Sequence, residues 1–237
     1  MIARTMFDHL LERLTSNPEV LHEYGALRSS LHLSRDADAH CSALVTSAQP
    51  LEGKTTVLLN LALVTVLSGR SVVVLDADMR RPHIHRMLGL PNTVGLSDVL
   101  AGRAQVQDVI QSVKATDERL VGEGSLAVIT AGRDGTAFTE ALGESTLRET
   151  VQHLTRAYDL LLIDSPPVLA AQDALLLASL VDGVVVVVHT GSVTIEDLTL
   201  TKTRLEEAGG RILGAVMTRF DSRVHGPASH PYAAYYA

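Results

Sequence analysis

The side chains best suited to chemistry first appear in a short loop that follows an apolar run. Residues 48–55 read AQPLEGKT and nearly fit the pattern GxxxxGK[ST], in which backbone N–H groups surround nucleotide phosphates. In that pattern Lys54 would reach the β and γ phosphates, and the Thr55 hydroxyl would bind Mg²⁺. Ala48 replaces the first glycine, and Leu51 stands where a glycine would ease a positive φ. By itself the segment also fits an ordinary strand-to-helix turn.

Two acidic residues lie near the end of the next apolar run, VVVLDADMRRP, which covers residues 72–82. Side chains alternate between the two faces of a strand, so Asp76 and Asp78 are expected to point the same way. Two carboxylates beside a phosphate would repel it unless a divalent cation lay between them, so the pair implies a metal ion. The alternative is that Asp78 caps a turn and pairs with Arg80 or Arg81.

A further acidic residue ends the run DLLLIDSPPV at residues 159–168. Asp164 follows four apolar residues, which matches the Walker B arrangement, where an acid at a strand end holds Mg²⁺ directly or through water. Many buried strands end in Asp, so this motif is weak alone. The combination of a lysine loop with three carboxylates at strand ends is much less expected by chance. Together these residues predict a nucleotide site.

The hydrophobic pattern predicts the scaffold that would bring these strand ends together. Short apolar runs, rich in β-branched residues or Leu, occupy residues 42–47, 71–78, 126–131, 159–165, 183–190 and 211–218. Helical patterns cover 7–33, with a break near Asn17-Pro18, and 54–68, 97–113, 139–156, 169–180 and 194–208. Continuous apolar strands alternating with helices predict an α/β fold with a mainly parallel twisted sheet covered on both faces. Right-handed crossovers then place the strand C-termini along one edge, where ligands bind.

Composition and charge exclude several classes of protein. A formal net charge of −7 argues against a protein that wraps nucleic acid. The longest apolar stretches, residues 57–67 and 184–189, are too short for a transmembrane helix or carry polar interruptions, and the first residues lack a secretory signal pattern. The single cysteine, Cys41, cannot form an internal disulfide, which favours a reducing compartment. We therefore expect a cytoplasmic protein.

Three segments are expected along the chain: a helical segment at 1–33, an α/β domain at 34–220 and a tail at 221–237. The tail reads DSRVHGPASHPYAAYYA, and its Gly, Pro, Ser and Ala content is typical of a flexible terminus. Three of the five tyrosines of the chain fall there, where no core can form. On composition alone, this aromatic cluster also fits chance.

Taken together, the motifs resemble those of the bacterial tyrosine kinases (BY-kinases) of the P-loop ATPase clan, which control capsule and exopolysaccharide production. The resemblance extends from about residue 22 to the end of the chain. It rests on AQPLEGKTT, on VVVLDADMRRP followed by HRMLGLPNTVGLSDVL, on LLLIDSPPV followed by DALLLASLVDGVVVVV, and on the tyrosine tail. Partition and cell-division-positioning ATPases share the strand plan but carry an additional lysine early in the loop, where this chain has Gln49.

The resemblance implies ATP- and Mg²⁺-dependent autophosphorylation of the tail tyrosines, usually between the subunits of a ring. The implied phosphoacceptors are Tyr232, Tyr235 and Tyr236. The implied catalytic residues are Lys54, Asp76, Asp78 and Asp164. The implied Mg²⁺ ligands are Thr55, Asp78 and Asp164. The implied nucleotide-binding residues are Ala48, Gln49, Pro50, Leu51, Glu52, Gly53, Lys54, Thr55, Thr56, Thr218 and Arg219. Among these, Asp76 is the candidate to accept or orient the proton of the incoming tyrosine hydroxyl.

The resemblance also implies a partner. Many members of the family are activated by the cytoplasmic end of a transmembrane polysaccharide co-polymerase. Because no transmembrane helix is expected in this chain, recruitment to the inner face of the cell membrane would come from that partner or from a segment absent here. No nucleic-acid partner is expected.

Several positions depart from the family pattern. In the stretch HEYGALR, His22 and Gly25 replace the Glu and first Arg of the ExxRxxR motif that helps to assemble the ring, and only Arg28 remains. A ring is therefore left open. Thr218 stands where relatives in the clan often place an Asn that reads adenine, although Arg219 could stack on a base. Two alternatives follow: a weak or inactive nucleotide-binding adaptor of the export machinery, and an ATPase switch of the partition or positioning type.

The histidines of RRPHIHRM raise the question of a separate metal site. His83 and His85 are close in sequence, but Arg80, Arg81 and Arg86 surround them, and this positive charge would discourage a cation. We expect histidines at the surface or at the edge of a phosphate site.

Overall fold

The computed structural model describes residues 6–32, 40–113, 124–133 and 143–219 of the chain. The segment at 221–237, with Tyr232, Tyr235 and Tyr236, lies outside the described residues.

A single sheet organises the part of the chain that the structure describes. Its strands are β1 (Cys41–Ser47), β2 (Ser71–Asp76), β3 (Gln111–Val113), β4 (Ser125–Ile129), β5 (Leu160–Asp164), β6 (Gly183–His189) and β7 (Ile212–Thr218). The spatial order is β3-β4-β2-β5-β1-β6-β7. All neighbouring strands run parallel except β3, which pairs with β4 in the antiparallel direction at one edge. The predicted mainly parallel sheet is confirmed.

Helices connect the strands and cover both faces of the sheet. They are α1 (Met6–Thr15), α2 (Pro18–His32), α3 (Lys54–Leu67), α4 (Ile84–Leu88), α5 (Leu96–Leu100), α6 (Gly143–Ala157), α7 (Asp173–Ala178) and α8 (Ile195–Glu207), with one 3₁₀ turn at Val106–Asp108. In the described part of the chain, no helix has the length and apolar character needed to cross a bilayer.

The helix predicted over residues 97–113 is wrong beyond its first turns. The helix α5 ends at Leu100, and Gly102 follows with φ 69°, a left-handed conformation that suits glycine and stops a helix. The chain then forms the edge strand β3, where the Gln111 side chain donates to the carbonyl of Pro91 at 3.0 Å. A local glycine signal and edge pairing therefore outweigh the helical spacing.

Two apolar layers explain why the strands read as unbroken hydrophobic runs. In β2, Val72 and Val74 pack into the layer that includes α1 and α3, whereas Val73 and Leu75 pack into the layer that includes α6, α7 and α8. Both faces of the strand are thus buried, which favours apolar residues along its length up to Asp76 at its carboxyl end.

The same alternation fixes where the strand-end acids point. Asp76 continues the Val72 and Val74 face of β2, and Asp164 continues the matching face of β5. The two acids are also direct register partners between these neighbouring strands. Strand pairing therefore brings Asp76 and Asp164 together at the carboxyl edge, on the side of the sheet that α3 covers.

A matched pair of leucines tests the packing of the central sheet. Leu162 in β5 is 0% exposed and Leu200 in α8 is 44% exposed. Leu162→Ala should lower the free energy of unfolding by about 3 kcal/mol, because it leaves a cavity among large neighbours. Leu200→Ala should change it by less than about 0.5 kcal/mol. Urea unfolding followed by circular dichroism measures both, and equal losses would contradict the layer assignment.

Candidate active site

A cleft of about 530 Å³ opens at the carboxyl edge of the sheet. The loops after β1, β2, β5 and β7 all contribute to its wall. Its lining residues are Pro50, Leu51, Gly53, Lys54, Thr55, Thr56, Asp78, Arg80, Arg81, His83, Met87, Pro166, Pro167, Ala170, Ala171 and Arg219. The cleft therefore joins the lysine loop to the segments that follow the acidic strand ends.

The lysine loop turns sharply into α3. Leu51 has φ 65° and is 86% exposed, and Gly53 has φ 94° at the start of the helix. The expected positive φ at Leu51 is thus confirmed, and such a conformation costs a non-glycine residue about 1 to 3 kcal/mol. Leu51 and Arg219 are the non-glycine residues with positive φ in the described ranges, so Ala48 needs no glycine-like backbone. The turn aims the first N–H groups of α3 into the cleft.

A buried glutamate holds this loop in place. Glu52 is 1% exposed, and its Oε1 accepts a hydrogen bond from the backbone N–H of Gln49. Its Oε2 accepts from the N–H of His189, at the end of β6, at 3.0 Å. The Glu52 carbonyl in turn accepts from the Thr218 hydroxyl, at the end of β7, at 2.8 Å. No local pattern around Glu52 predicted this role, and the residue was expected only among the nucleotide-binding residues.

Two carboxylates lie at the base of the site with one oxygen each left without a partner. Asp164 Oδ2 accepts from the Thr55 hydroxyl at 2.6 Å, and Asp76 Oδ2 accepts from the Ile84 N–H at 3.2 Å. Both acids are almost fully buried. The remaining oxygen, Oδ1, has no hydrogen-bond partner on either residue within the described ranges. Buried acceptors of this kind are costly unless a further group satisfies them.

The third acid occupies the cleft wall. Asp78 is partly buried, lines the cleft, and accepts from the backbone N–H of Arg81 at 3.1 Å. The turn-capping hydrogen bond of the alternative interpretation is therefore present. Arg80, however, pairs with Asp173 at 3.1 Å, so its guanidinium contacts a residue of α7. Asp78 thus caps its turn and also faces the site.

The protein surroundings of the three acids disfavour their ionised forms. Burial is the largest cause that raises the pKa of Asp164, to about 6, against lowering contributions from the Thr55 hydroxyl and Lys54. Burial also raises the pKa of Asp76 well above its ordinary value, and the negative charges of Asp164 and Asp78 add to the rise. The pKa of Asp78 is raised by burial as well. Removing positive charge from this edge would worsen the repulsion, and adding a cation would relieve it.

The donor set fits a hard divalent cation that is only partly held by protein. In the described residues no group of three or more His, Cys, Asp or Glu side chains forms a metal cage. Mg²⁺ is usually bound by one or two carboxylates together with waters and substrate phosphates. The unpartnered Asp164 oxygen, the Thr55 hydroxyl and Asp78 at the cleft wall provide such a partial set.

The remaining residues predicted to bind the nucleotide either line the cleft or hold the loop that forms its wall. Pro50, Thr56 and Arg219 line the cleft, whereas the Thr218 hydroxyl bonds to the loop backbone. The His83 ring also lines the cleft, with Nδ1 at 2.7 Å from the carbonyl of Arg81.

Arg28 is the one residue of the ExxRxxR motif that this chain retains, and it has a contact within its own chain. Arg28, on α2, donates from Nη1 to the carbonyl of Val64, on α3, at 3.3 Å. Its guanidinium therefore helps to hold α2 against α3.

The raised pKa of Asp164 predicts a stabilising substitution. The folded protein takes up a proton on Asp164 near pH 6, whereas the unfolded chain does so near pH 3.8. Stability is therefore lost as pH rises through this window, and at pH 7 the loss reaches at most about 3 kcal/mol. Asp164→Asn should raise the unfolding temperature of the nucleotide-free protein at pH 7 and flatten its change between pH 4 and 6. Calorimetric scans across pH measure both.

Asp159 provides the control of opposite sign. Burial raises its pKa, but hydrogen bonds from the Ser71 N–H and hydroxyl, both at 2.7 Å, and the charge of Arg70 lower it overall. Asp159→Asn should destabilise the protein at pH 7. The difference should decline as pH falls below the ordinary carboxyl pKa and disappear only below the lowered pKa of Asp159 in the folded protein. Equal effects of the two substitutions would refute the electrostatic account.

Comparisons with known proteins agree with this geometry. A family model described as an AAA domain matches residues 52–208. Tyrosine-protein kinase YwqD of Bacillus subtilis (strain 168) is 33% identical over 195 residues, which are 82% of this chain and 79% of that protein. Tyrosine-protein kinase etk of Escherichia coli (strain K12) is 34% identical over 192 residues, which are 81% of this chain but only 25% of that protein.

A solved structure extends the likeness to three dimensions. The kinase domain of Escherichia coli tyrosine kinase ETK superposes with a TM-score of 0.78 at 30% sequence identity, covering 90% of this chain and 82% of that one. The chain therefore belongs to the bacterial tyrosine-protein kinase family, with a nucleotide-binding fold of the P-loop ATPase type.

Proposed function

We propose that this chain is an ATP- and Mg²⁺-dependent protein-tyrosine kinase that phosphorylates its own C-terminal tyrosines. The observation that carries the proposal is the cleft that brings Lys54, Thr55 and Asp78 together at the N-terminus of α3. The Thr55 hydroxyl bonds to the buried Asp164, whose register partner is Asp76. Membership of the tyrosine kinase family supports the choice of acceptor. The division into a helical segment at 1–33, a kinase domain at 34–220 and an acceptor tail at 221–237 belongs to the same proposal.

The loop and α3 would bind the triphosphate of ATP. Backbone N–H groups at the start of a helix attract anions, and Gly53 lets the chain turn so that these groups face the cleft. Lys54 is 8% exposed and lines the same cleft, where its ammonium would contact the terminal phosphates. Leu51 and Arg219 lie at the cleft wall, where they would contact the rest of the nucleotide.

Thr55, Asp78 and Asp164 would hold Mg²⁺. When bound, the ion would neutralise charge that develops on the transferring phosphoryl group and offset the repulsion among the buried acids. Thr55 and Asp164 already hydrogen-bond to each other, so their oxygens are fixed close together. The unpartnered Oδ1 of Asp164 supports this assignment.

In the proposed reaction a tyrosine oxygen forms a bond to the γ phosphorus as the bond to the β,γ-bridging oxygen breaks. ADP leaves, and the phenolic proton passes to a base. Asp76 is the candidate base, because its Oδ1 has no partner in the described residues and its raised pKa brings proton affinity closer to neutral pH. Most of the rate gain would come from alignment and charge stabilisation, as in other phosphoryl transfers.

The biological setting is proposed from the family. Autophosphorylation would add a charge of about −1.5 to −2 to each tail tyrosine and so regulate capsule or exopolysaccharide synthesis and export. The partner would be a transmembrane polysaccharide co-polymerase that activates the kinase and recruits it from the cytoplasm to the inner face of the membrane. Homo-oligomerisation remains part of the proposal without a stated subunit number.

Lysine substitutions test the nucleotide site. Lys54→Met should lower the rate of tail phosphorylation at least about a hundredfold, because the terminal phosphates lose their main protein charge partner. Lys202→Met is the matched control, since Lys202 is exposed on α8, pairs with Glu206 and does not line the cleft. Intact-protein mass spectrometry after incubation with Mg-ATP measures the added phosphate. Equal rates in the Lys54→Met and wild-type proteins would refute the site.

The same measurement separates the alternative functions for the wild-type chain. Phosphate release without added mass would favour the ATPase switch. Neither phosphate release nor added mass would favour the adaptor.

Tyrosine substitutions test the acceptors. Changing Tyr232, Tyr235 and Tyr236 together to Phe should abolish phosphate incorporation and leave the nucleotide dissociation constant within about twofold of the wild-type value, because the proposed nucleotide contacts come from Lys54 and the other described residues that line the cleft. Tyr158→Phe, at a partly buried tyrosine before β5, should leave incorporation unchanged. Peptide mapping by mass spectrometry locates the phosphate. Full incorporation into the triple variant would exclude the tail as acceptor.

A further inference from the structure

One part of the cleft wall is apolar. This apolar wall consists of Met87 of α4 and, after β5, of Pro166, Pro167, Ala170 and Ala171. The proposed contacts to phosphate and Mg²⁺ use none of these residues. Ligand sites place apolar side chains where the ligand has an apolar part and reserve a few polar groups for orientation. The apolar wall therefore calls for a substrate group other than the triphosphate.

The sheet order places the apolar wall on the same side of the cleft as the acids. The strands β2 and β5 are neighbours, and β1, which the lysine loop follows, lies on the other side of β5. The residues of the apolar wall follow β2 and β5, whose last residues are Asp76 and Asp164. Arg219 follows β7, on the far side of β1. An acceptor that reaches the terminal phosphate beside the acids therefore meets the apolar wall, whereas the part of the nucleotide near Arg219 does not.

Backbone contacts hold the apolar wall in place. The helix α4 begins at Ile84, whose N–H donates to Asp76 at 3.2 Å, so Met87 lies on a helix that is anchored to the candidate base. After β5, the carbonyl of Pro166 accepts from the hydroxyl of Thr46, in β1, at 3.2 Å. Both parts of the wall are thus fixed relative to the carboxyl edge of the sheet, as a surface that orients a substrate requires.

The depth of the acids favours an acceptor with a long and rigid side chain. Asp76 is 0% exposed and Asp164 is 2% exposed, so both carboxylates lie at the base of the cleft. In serine and threonine the hydroxyl is bonded directly to Cβ, and the peptide backbone would have to enter the cleft with it. In tyrosine a planar ring separates the hydroxyl from Cβ. This ring can bury its apolar surface while its hydroxyl stays free to bond.

We propose that the apolar wall binds the ring of the acceptor tyrosine and thereby selects a phenol over an aliphatic hydroxyl. This inference rests on the proposed kinase function and assigns part of the cleft to the acceptor. Within the wall, Met87 is the specificity-determining residue, because its flexible thioether side chain adapts to an aromatic ring and gains a favourable sulfur–aromatic contact. Pro166 and Pro167 are buried and add a rigid apolar surface.

Two synthetic peptides test the selection. Both have the sequence of residues 230–237, one with Phe and the other with Ser at every tyrosine position. The full wild-type chain is incubated with Mg-ATP and either peptide, and intact-protein mass spectrometry measures the rate of autophosphorylation. The Phe peptide should halve this rate in the millimolar range, whereas the Ser peptide should require at least about a tenfold higher concentration. Equal inhibition by the two peptides, no inhibition by the Phe peptide at about 10 mM, or phosphate on the Ser peptide would overturn the inference.

Methionine substitutions test the role of Met87. Met87→Ala should raise the Phe-peptide concentration needed for half-maximal inhibition about fivefold. Met87→Leu, which keeps the apolar volume, should change it by less than about twofold. Met217→Ala is the matched control, since Met217 is 54% exposed on β7 and does not line the cleft. The dissociation constant of ATP, measured by calorimetric titration, should stay within about twofold of the wild-type value in every variant.

The outcomes separate this inference from the kinase function. If Met87→Ala weakens ATP binding as much as it weakens peptide inhibition, the wall contacts the nucleotide, and the inference is overturned while the kinase function stands. Equal peptide inhibition in the Met87→Ala and Met217→Ala proteins would overturn it as well. Absence of autophosphorylation in the wild-type chain would overturn the proposed function together with this inference.

Discussion

Electrostatic repulsion among buried carboxylates at one sheet edge is the constraint on which the site depends. Asp76 and Asp164 are register partners on neighbouring strands, and Asp78 follows within two residues of the first. Burial raises the pKa of all three. A fold that only needed stability would place apolar residues here. A cationic ligand bound by the cluster would offset this cost, and the phosphate-binding loop beside it supports the proposal that the ligand is Mg²⁺ with a nucleotide.

Packing around the strands keeps the three acids close together although their charges repel each other. Apolar residues on both faces of β2 and β5 fix the strands between two packed layers, so the acids cannot separate without exposing the core. On the opposite side of the cleft, Glu52 links the loop to the ends of β6 and β7 through one carboxylate and one carbonyl. Leu51, which has a left-handed conformation, precedes Glu52 in the loop that these contacts hold. The packing and pairing of the strands therefore offset both the strain in the loop and the repulsion among the acids, as expected for a preorganised site.

Most of the fold and the main site residues could be predicted from local sequence. Unbroken apolar runs gave the parallel strands, and the acids at their ends gave the cluster, because strand direction alone determines which ends meet. The predicted helix at 97–113 failed because spacing of apolar residues does not reveal a left-handed Gly102 or an edge strand. The role of Glu52 in linking the loop to the ends of β6 and β7 could not be predicted either. Its partners His189 and Thr218 lie 137 and 166 residues away, and no local pattern encodes such contacts.

The central claim, that loop, lysine and acids form one metal-dependent nucleotide site, is tested most directly by calorimetric titration of ATP into the full chain with and without Mg²⁺. The account predicts one ATP bound per chain in the presence of Mg²⁺ and at least about tenfold weaker binding in EDTA, because the acidic side chains then lie beside the triphosphate without a compensating cation. Absence of ATP binding under both conditions, or equal affinity with and without Mg²⁺, would contradict it.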